Sequence, residues 1–197
     1  QTAKQVVIQR IKDAERDVIF DEFINRENEI ITGTIQRINK NNVYIDLGKT
    51  EGVLPPIEQI EGEAYNQGDR IKLFILEVKK TTKGPQIILS RSHPGLVKRL
   101  FELEVPEIQE GVVDIYAISR EAGSRTKIAV HSKDLNVDPV GACVGFKGGR
   151  VKAIVEELNG EKIDIIIWSK NIEEFVANSL SPSKVIRVEV DEKNKSA

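Results

Sequence analysis

The chain has 197 residues, 40% of them hydrophobic and 30% charged, which is enough apolar material for two small domains without covalent staples. One cysteine, Cys143, excludes internal disulfides and a multi-cysteine zinc site and fits a reducing cytoplasm, and no apolar run approaches the about 18 residues of a membrane span. A formal net charge of -2 argues against an indiscriminate polyanion binder, and the absence of methionine with Gln1 in first place reads as a piece of a longer chain.

Residues 1 to 24 have helical period, with Val7, Ile11, Ala14 and Val18 in one stripe and Phe20, Phe23 and Ile24 following. Its polar face mixes Lys4, Arg10, Lys12 and Arg16 with Asp13, Glu15, Asp17 and Asp21. Such a helix needs a surface for its apolar stripe. It either docks on its own domain or connects to a preceding one. We expect a connector over 1–28.

Residues 29 to 91 read as all-β. Ile30, Ile31, Thr32, Thr34 and Ile35 predict a strand, and a polar turn at Asn39 to Asn42 follows. Val43 to Leu47 ends at Gly48, Gly52 to Leu54 ends at Pro55-Pro56, and Arg70 to Val78 alternates before a loop at Thr81 to Pro85. Gln86 to Ser90 closes the set. Five short strands in about 60 residues suit a Greek-key barrel of the OB type. Gly33-x-Ile35, Asp46-Leu47-Gly48, Glu51-Gly52-Val53-Leu54-Pro55, Gly68-Asp69-Arg70-Ile71 and Ile88-Leu89-Ser90-Arg91 then resemble an S1 RNA-binding domain, placed at 29–92. The aromatic that many S1 domains carry in the second-strand turn is here Asn41, and the usual His after the third strand is replaced near Pro55. Tyr44 is the stacking aromatic left, so this barrel is expected to play a secondary RNA role.

From Gly95 to Leu103 a helix is predicted, stopped by Pro106, followed by strands at Val112 to Ser119 and Lys127 to His131 around Gly123-Ser124. Asp138-Pro139 opens a short helix through a cap and a first-turn proline. Then comes Gly145-Phe146-Lys147-Gly148, with Gly149, Arg150 and Lys152 directly behind it. Val151, Ile154, Val155 and Leu158 mark one helical face that stops at Asn159-Gly160, and Lys162 to Trp168 is β-branched and strand-like. Glycines let a backbone approach an anion, and a helix N-terminus behind them offers unpaired N–H groups. A G-x-x-G turn between two helices, in the order helix-strand-strand-helix-helix-strand, resembles the type II KH module, which clamps single-stranded RNA on that loop. We place this domain at 93–183. The bland reading is a tight helix-helix turn in an α+β domain.

Charge supports the loop. Between Ile115 and Val155 seven Lys or Arg (120, 125, 127, 133, 147, 150, 152) face three acids (121, 134, 138), a local +4 that leaves -6 for the remainder of the -2 total. His93 and His131 lack partners for a metal site, Trp168 is expected in the core, and Glu102, Glu104, Glu107 and Glu110 read as a solvated face. No Ser/His/Asp order, Walker loop or metal-ligand spacing is present, so neither catalysis nor a cofactor or metal is expected.

An S1 domain joined to a type II KH domain through Ser92-His93-Pro94-Gly95-Leu96-Val97-Lys98-Arg99-Leu100-Phe101 resembles the NusA family of transcription termination/antitermination factors, most like its Gram-positive versions. Lys80 to Gln86, Val105-Pro106-Glu107-Ile108, Arg120-Glu121-Ala122-Gly123 and Glu174-Phe175-Val176-Ala177-Asn178 extend the match along nearly the whole chain. Lys184 to Val190 predicts one alternating strand, consistent with the start of a truncated second KH domain over 184–197. The resemblance implies a cytoplasmic, monomeric, non-enzymatic protein that binds nascent single-stranded RNA and modulates pausing, termination and antitermination. It further implies RNA polymerase as a partner, mainly through regions outside this chain, with other transcription factors besides and no membrane. The implied RNA residues are Gly145, Phe146, Lys147, Gly148, Gly149, Arg150 and Lys152, with Tyr44 on the barrel. Two other readings stay open: the RNA-tethering KH/S1 module of an RNA-degrading enzyme, where KH precedes S1, and a scaffold in which G-x-x-G is a relic.

Overall fold

A computed structural model describes residues 2–191 and 193–197. The chain divides into two compact units, one ending at Leu96 and the other beginning at Val97.

The first unit opens with helix α1 (Ala3–Ile24), whose Gln5 side chain accepts from the Thr2 amide at 3.2 Å. At about 1.5 Å per residue this helix is roughly 33 Å long, more than a small barrel can cover. Only its final turns find a surface. Phe23 is buried, and Ile19, Phe20 and Ile24 pack beside it on the barrel core. The expected stripe is therefore not the buried one: Val7, Ile11 and Val18 stay exposed. Salt bridges Lys80–Asp17 at 2.6 Å and Lys49–Glu22 at 2.7 Å hold the docked part at its rim.

Strands β1 (Ile30–Asn39), β2 (Asn42–Asp46), β3 (Glu51–Leu54), β4 (Arg70–Thr81) and β5 (Gly84–Ser90) close into a barrel in the order β1-β2-β3-β5-β4. All neighbours are antiparallel except β3 and β5. Alternation places Ile31, Ile35, Val43, Ile45, Leu73, Ile75, Ile87 and Leu89 inside. The β1–β2 turn has Lys40 and Asn41 at φ 49° and 64°, the left-handed pair a two-residue hairpin requires. The loop expected at Thr81 to Pro85 is tighter than its composition suggests: β4 runs to Thr81, β5 resumes at Gly84, and Thr81 Oγ1 donates to the Gly84 carbonyl at 2.7 Å.

Beneath the barrel, Arg91 is buried. It donates to both Glu63 oxygens and, at 2.9 Å, to the Lys72 carbonyl. Tyr65 donates to the same carboxylate at 2.7 Å, and burial pushes its phenol well above the usual range. His93 stacks on Phe74 at 4.6 Å and accepts from the Gly95 amide at 3.0 Å, so its role is packing.

The second unit holds most of helix α2 (Pro94–Glu104), then α3 (Pro106–Gln109), strands β6 (Val113–Glu121) and β7 (Arg125–Ser132), helices α4 (Pro139–Val144) and α5 (Gly149–Glu157), strand β8 (Lys162–Ile167) and helix α6 (Ile172–Ser179). Pro106 does more than stop α2, since it sits in the first turn of α3, where a missing N–H costs nothing. The sheet order is β6-β7-β8, with β6 antiparallel and β8 parallel to β7. A parallel neighbour needs a crossover. Here it is α4, the G-x-x-G loop and α5. Phe101, Val105, Val113, Ile128, Val130, Cys143, Ile154 and Leu158 are buried in this unit.

Arg120 and Glu161 form a fully buried pair, with Nε to Oε1 at 2.9 Å, joined by Thr126 Oγ1 at 2.6 Å and the Gly123 amide at 2.9 Å. Trp168, expected in the core, is instead half-buried and stacked on Tyr116 at 4.3 Å, with His131 edge-on to both rings. The strand expected over Lys184 to Val190 does not form. Among the described residues only an isolated bridge, Asp191 to Ser196, occurs there, and Ile186 is fully exposed. β6 and β8 each leave an outer edge unpaired, and residues 184–190 pair with neither.

Candidate nucleic-acid interface

The loop is built from both sides. Asp138 caps α4 by accepting from the Val140 amide at 3.1 Å, Pro139 sets its first turn, and the helix ends when the Gly145 amide bonds the Gly141 carbonyl at 2.9 Å. Gly145 then takes φ 75°, ψ 176°, a conformation essentially reserved for glycine. A Cβ there would lie 2.6 Å from Arg150 Cγ. Phe146 to Gly148 form a single 3-10 turn in which Lys147 has φ 50° and Gly148 φ 76°. From Gly149 the chain is α-helical, and no side chain caps the N-terminus of α5. Its first N–H groups and the positive end of its dipole therefore face the loop.

Side chains around the turn differ in how free they are. Phe146 is 86% exposed, and the Lys147 ammonium lies 5.3 Å from its ring centroid. Gly148 and Gly149 have open space where a Cβ would stand. Lys152 is exposed and pairs loosely with Glu156 at 3.7 Å. Arg150 is different: its Nη1 donates to Glu107 Oε2 at 2.8 Å and to the Ala142 carbonyl at 2.7 Å. Cys143, in the same α4 turn, is buried, and burial with the Glu107 charge pushes its thiol up to about 12.

The local +4 consequently overstates the footprint. Arg120 pairs with Glu161, Arg125 with Asp164, Lys133 with Asp114, Arg150 with Glu107 and Lys152 with Glu156. All five acids lie outside the 115–155 window in which the surplus is counted. Arg125 in turn holds the Asp164 carboxyl below its usual range by hydrogen bonding. Lys127 donates to the carbonyls of Ser179 and Ser181. Among the described residues, Lys147 alone of the seven has neither an acid nor a carbonyl at its ammonium. The positive footprint at the loop is Lys147, with Lys152 one turn behind.

On the barrel, Tyr44 lines a groove with Glu51, Val53, Lys83, Gln86 and Ile87. The Arg37 guanidinium lies 4.1 Å from the Tyr44 ring centroid and makes a two-armed ion pair with Glu51, one arm at 3.0 Å. One face of the ring is thus already occupied. Tyr44 belongs to a different unit from the loop residues and is treated as a separate site. Two partners escaped the sequence reading. Arg37 was visible only through the β1–β2 register, where it stands opposite Tyr44. Glu107, expected on a solvated face, is bonded to Arg150 across 43 positions, a separation that leaves no local pattern.

Comparison with known proteins matches residues 25–92 to an S1 RNA binding domain and residues 91–168 to a NusA-like first KH domain. Over 195 residues the chain is 59% identical to the transcription termination/antitermination protein NusA of Halalkalibacterium halodurans, covering 99% of this chain and 51% of that one. The Bacillus subtilis protein of the same name is 60% identical, with 99% and 53% covered. That of Thermus thermophilus is 46% identical over 198 residues, with 100% and 51% covered. The chain spans about half the length of these relatives.

Proposed function

The chain belongs to the NusA family, and on that premise we propose that it binds single-stranded nascent RNA on the 145–148 loop without catalysing a reaction. The observation that supports this most directly is the loop's geometry. Two glycines at positive φ flank an exposed Phe146 and an unpaired Lys147, and an uncapped helix starts directly behind them. Phosphates can approach bare backbone at Gly148 and Gly149, with Lys147 and Lys152 supplying charge and Phe146 a stacking face.

Within the family's longer proteins, this RNA contact serves transcriptional pausing, termination and antitermination in the cytoplasm, with RNA polymerase held mainly by other regions and further transcription factors as possible company. The chain acts as a monomer, with residues 29–92 as the S1 domain and 93–183 as the KH domain. The order S1 before KH disfavours the tethering module of an RNA-degrading enzyme.

The test is Gly148→Asp, titrated against a fluorescent unstructured RNA by anisotropy. Open space receives the side chain, and aspartate is among the few residues that visit the left-handed backbone at Gly148, at a local strain of about 1 kcal/mol, while its carboxylate repels phosphate. Binding should fall more than roughly tenfold with unchanged circular dichroism. Wild-type affinity in the folded variant would sink the assignment.

A further inference from the structure

Arg150 stands two residues beyond the closing glycine of the loop, where sequence order suggests a phosphate ligand. Its geometry is that of a brace. The aliphatic stem lies against Gly145, with Cγ and Cδ only 2.6 and 2.9 Å from where a Cβ on that glycine would be. The guanidinium reaches back past it to the Ala142 carbonyl at 2.7 Å, in the last turn of α4, where backbone acceptors lack helical partners. The same nitrogen holds Glu107, on α3, at 2.8 Å. One side chain rooted behind the loop's exit thus grips the helix that feeds its entry, and α3 anchors the grip. Both members of the ion pair are 31% exposed, so water screens them only in part.

The loop has much to be held against. Gly145, Lys147 and Gly148 all sit at positive φ, and a free chain would sample many other states. We propose that Glu107 and Arg150 are positioning residues for RNA binding: the pair fixes the spacing between the end of α4 and the start of α5, so that RNA meets a loop already in its binding geometry. The proposal rests on the loop being the RNA site. It assigns a favourable role to a carboxylate beside a polyanion site, and electrostatics alone gives the opposite sign. Removing a negative charge near phosphates should tighten binding; removing a brace should weaken it.

The decisive variant is therefore Glu107→Gln in the full chain, titrated by anisotropy against a labelled unstructured RNA at several salt concentrations. A roughly three- to tenfold loss of affinity is expected, with the salt slope unchanged because no phosphate contact is removed. Arg150→Lys should behave alike, and Glu107→Ala added to Arg150→Ala should cost little beyond Arg150→Ala alone. Amide exchange separates positioning from general destabilisation: the amides of residues 145–149 should exchange faster in Glu107→Gln, and those of β7 should not. Equal or tighter binding by Glu107→Gln overturns the proposal. So does a salt slope about one unit shallower in Arg150→Ala, the mark of a direct phosphate contact, or faster exchange throughout β7. Gly148→Asp run alongside keeps the two readings apart. If it binds RNA normally, the loop is not the site and both fail; if it loses binding while Glu107→Gln does not, only the brace fails.

Discussion

The barrel groove and the 145–148 loop carry the same pair of groups, an aromatic ring beside a cation, in opposite states. In the groove, Arg37 covers Tyr44 at 4.1 Å, and Glu51 holds Arg37 from the other side. Hydrogen bonding to Glu51 is also what raises the guanidinium's already high pKa. At the loop, Phe146 stands in solvent, and among the described residues the Lys147 ammonium has only that ring beside it. A ligand must displace an ion pair to use the covered face of the first ring and nothing to use the second. Residue type alone ranks the two as equals; commitment to internal partners ranks them apart.

The comparison can be broken most forcefully from below, by removing the loop's scaffold. Deleting one partner of a buried ion pair costs about 3–5 kcal/mol, so Glu161→Gln, which takes the carboxylate from buried Arg120, should destabilise the second unit by that order. Trp168 is the sole tryptophan and lies in that unit, so the fluorescence midpoint in urea reads the loss directly, and an unmoved midpoint contradicts it. Acid should act through the same group. Burial pushes the Glu161 carboxyl up, but bonds from Arg120, Thr126 and the Gly123 amide outweigh it and hold the group below its usual 4.5. A depressed acid stabilises the fold above its unfolded value, and that contribution fades as pH falls through the folded value. The unit should therefore weaken progressively below about pH 4.5, and Glu161→Gln should flatten this part of the profile.

A smaller effect sharpens the comparison at the loop itself. Lys147→Ala should weaken RNA binding by roughly three- to tenfold and reduce the salt slope by about one unit, since its charge is uncommitted. An unchanged slope would mean that this ammonium meets no phosphate. Smallest of all should be Tyr44→Ala, at less than about twofold. Stacking yields about 1–3 kcal/mol per base only where the base reaches the ring. A loss larger than that of Lys147→Ala would reverse the ranking of the two regions.

What could be read from residues alone follows the range of the interactions. Val43 to Leu47 and Arg70 to Val78 announce their strands because alternation is local, and the spacing Gly145 to Gly148 announces the loop for the same reason. Helix α6 also has a local signal in Asn171, which accepts from the Glu174 amide at 3.1 Å, an N-cap pattern readable from residue types three positions apart. Pairings between distant positions left none. Glu107 with Arg150, and Arg120 with Glu161, span 43 and 41 positions and become visible only once the strands and helices are packed. The charge surplus around the loop misled for that reason, since its neutralising acids come from elsewhere in the chain. The stripe of α1 misled differently. Period identifies an amphipathic helix without saying which turns lie over a neighbour, and the barrel's core takes in Ile19, Phe20, Phe23 and Ile24 alone among the described residues of the helix.

Cys143 sits in the turn of α4 that the brace holds, fully enclosed, with its thiol pushed up to about 12. At neutral pH that upward shift keeps the thiol protonated, and the thiolate is the species that reacts. The one thiol of the folded chain is thus shielded from thiol-directed alkylating reagents. Any modification that does occur must wait for the protein to open. The rate of labelling then becomes a clock for that opening, wound by the same turn that carries the loop, and it needs no engineered probe.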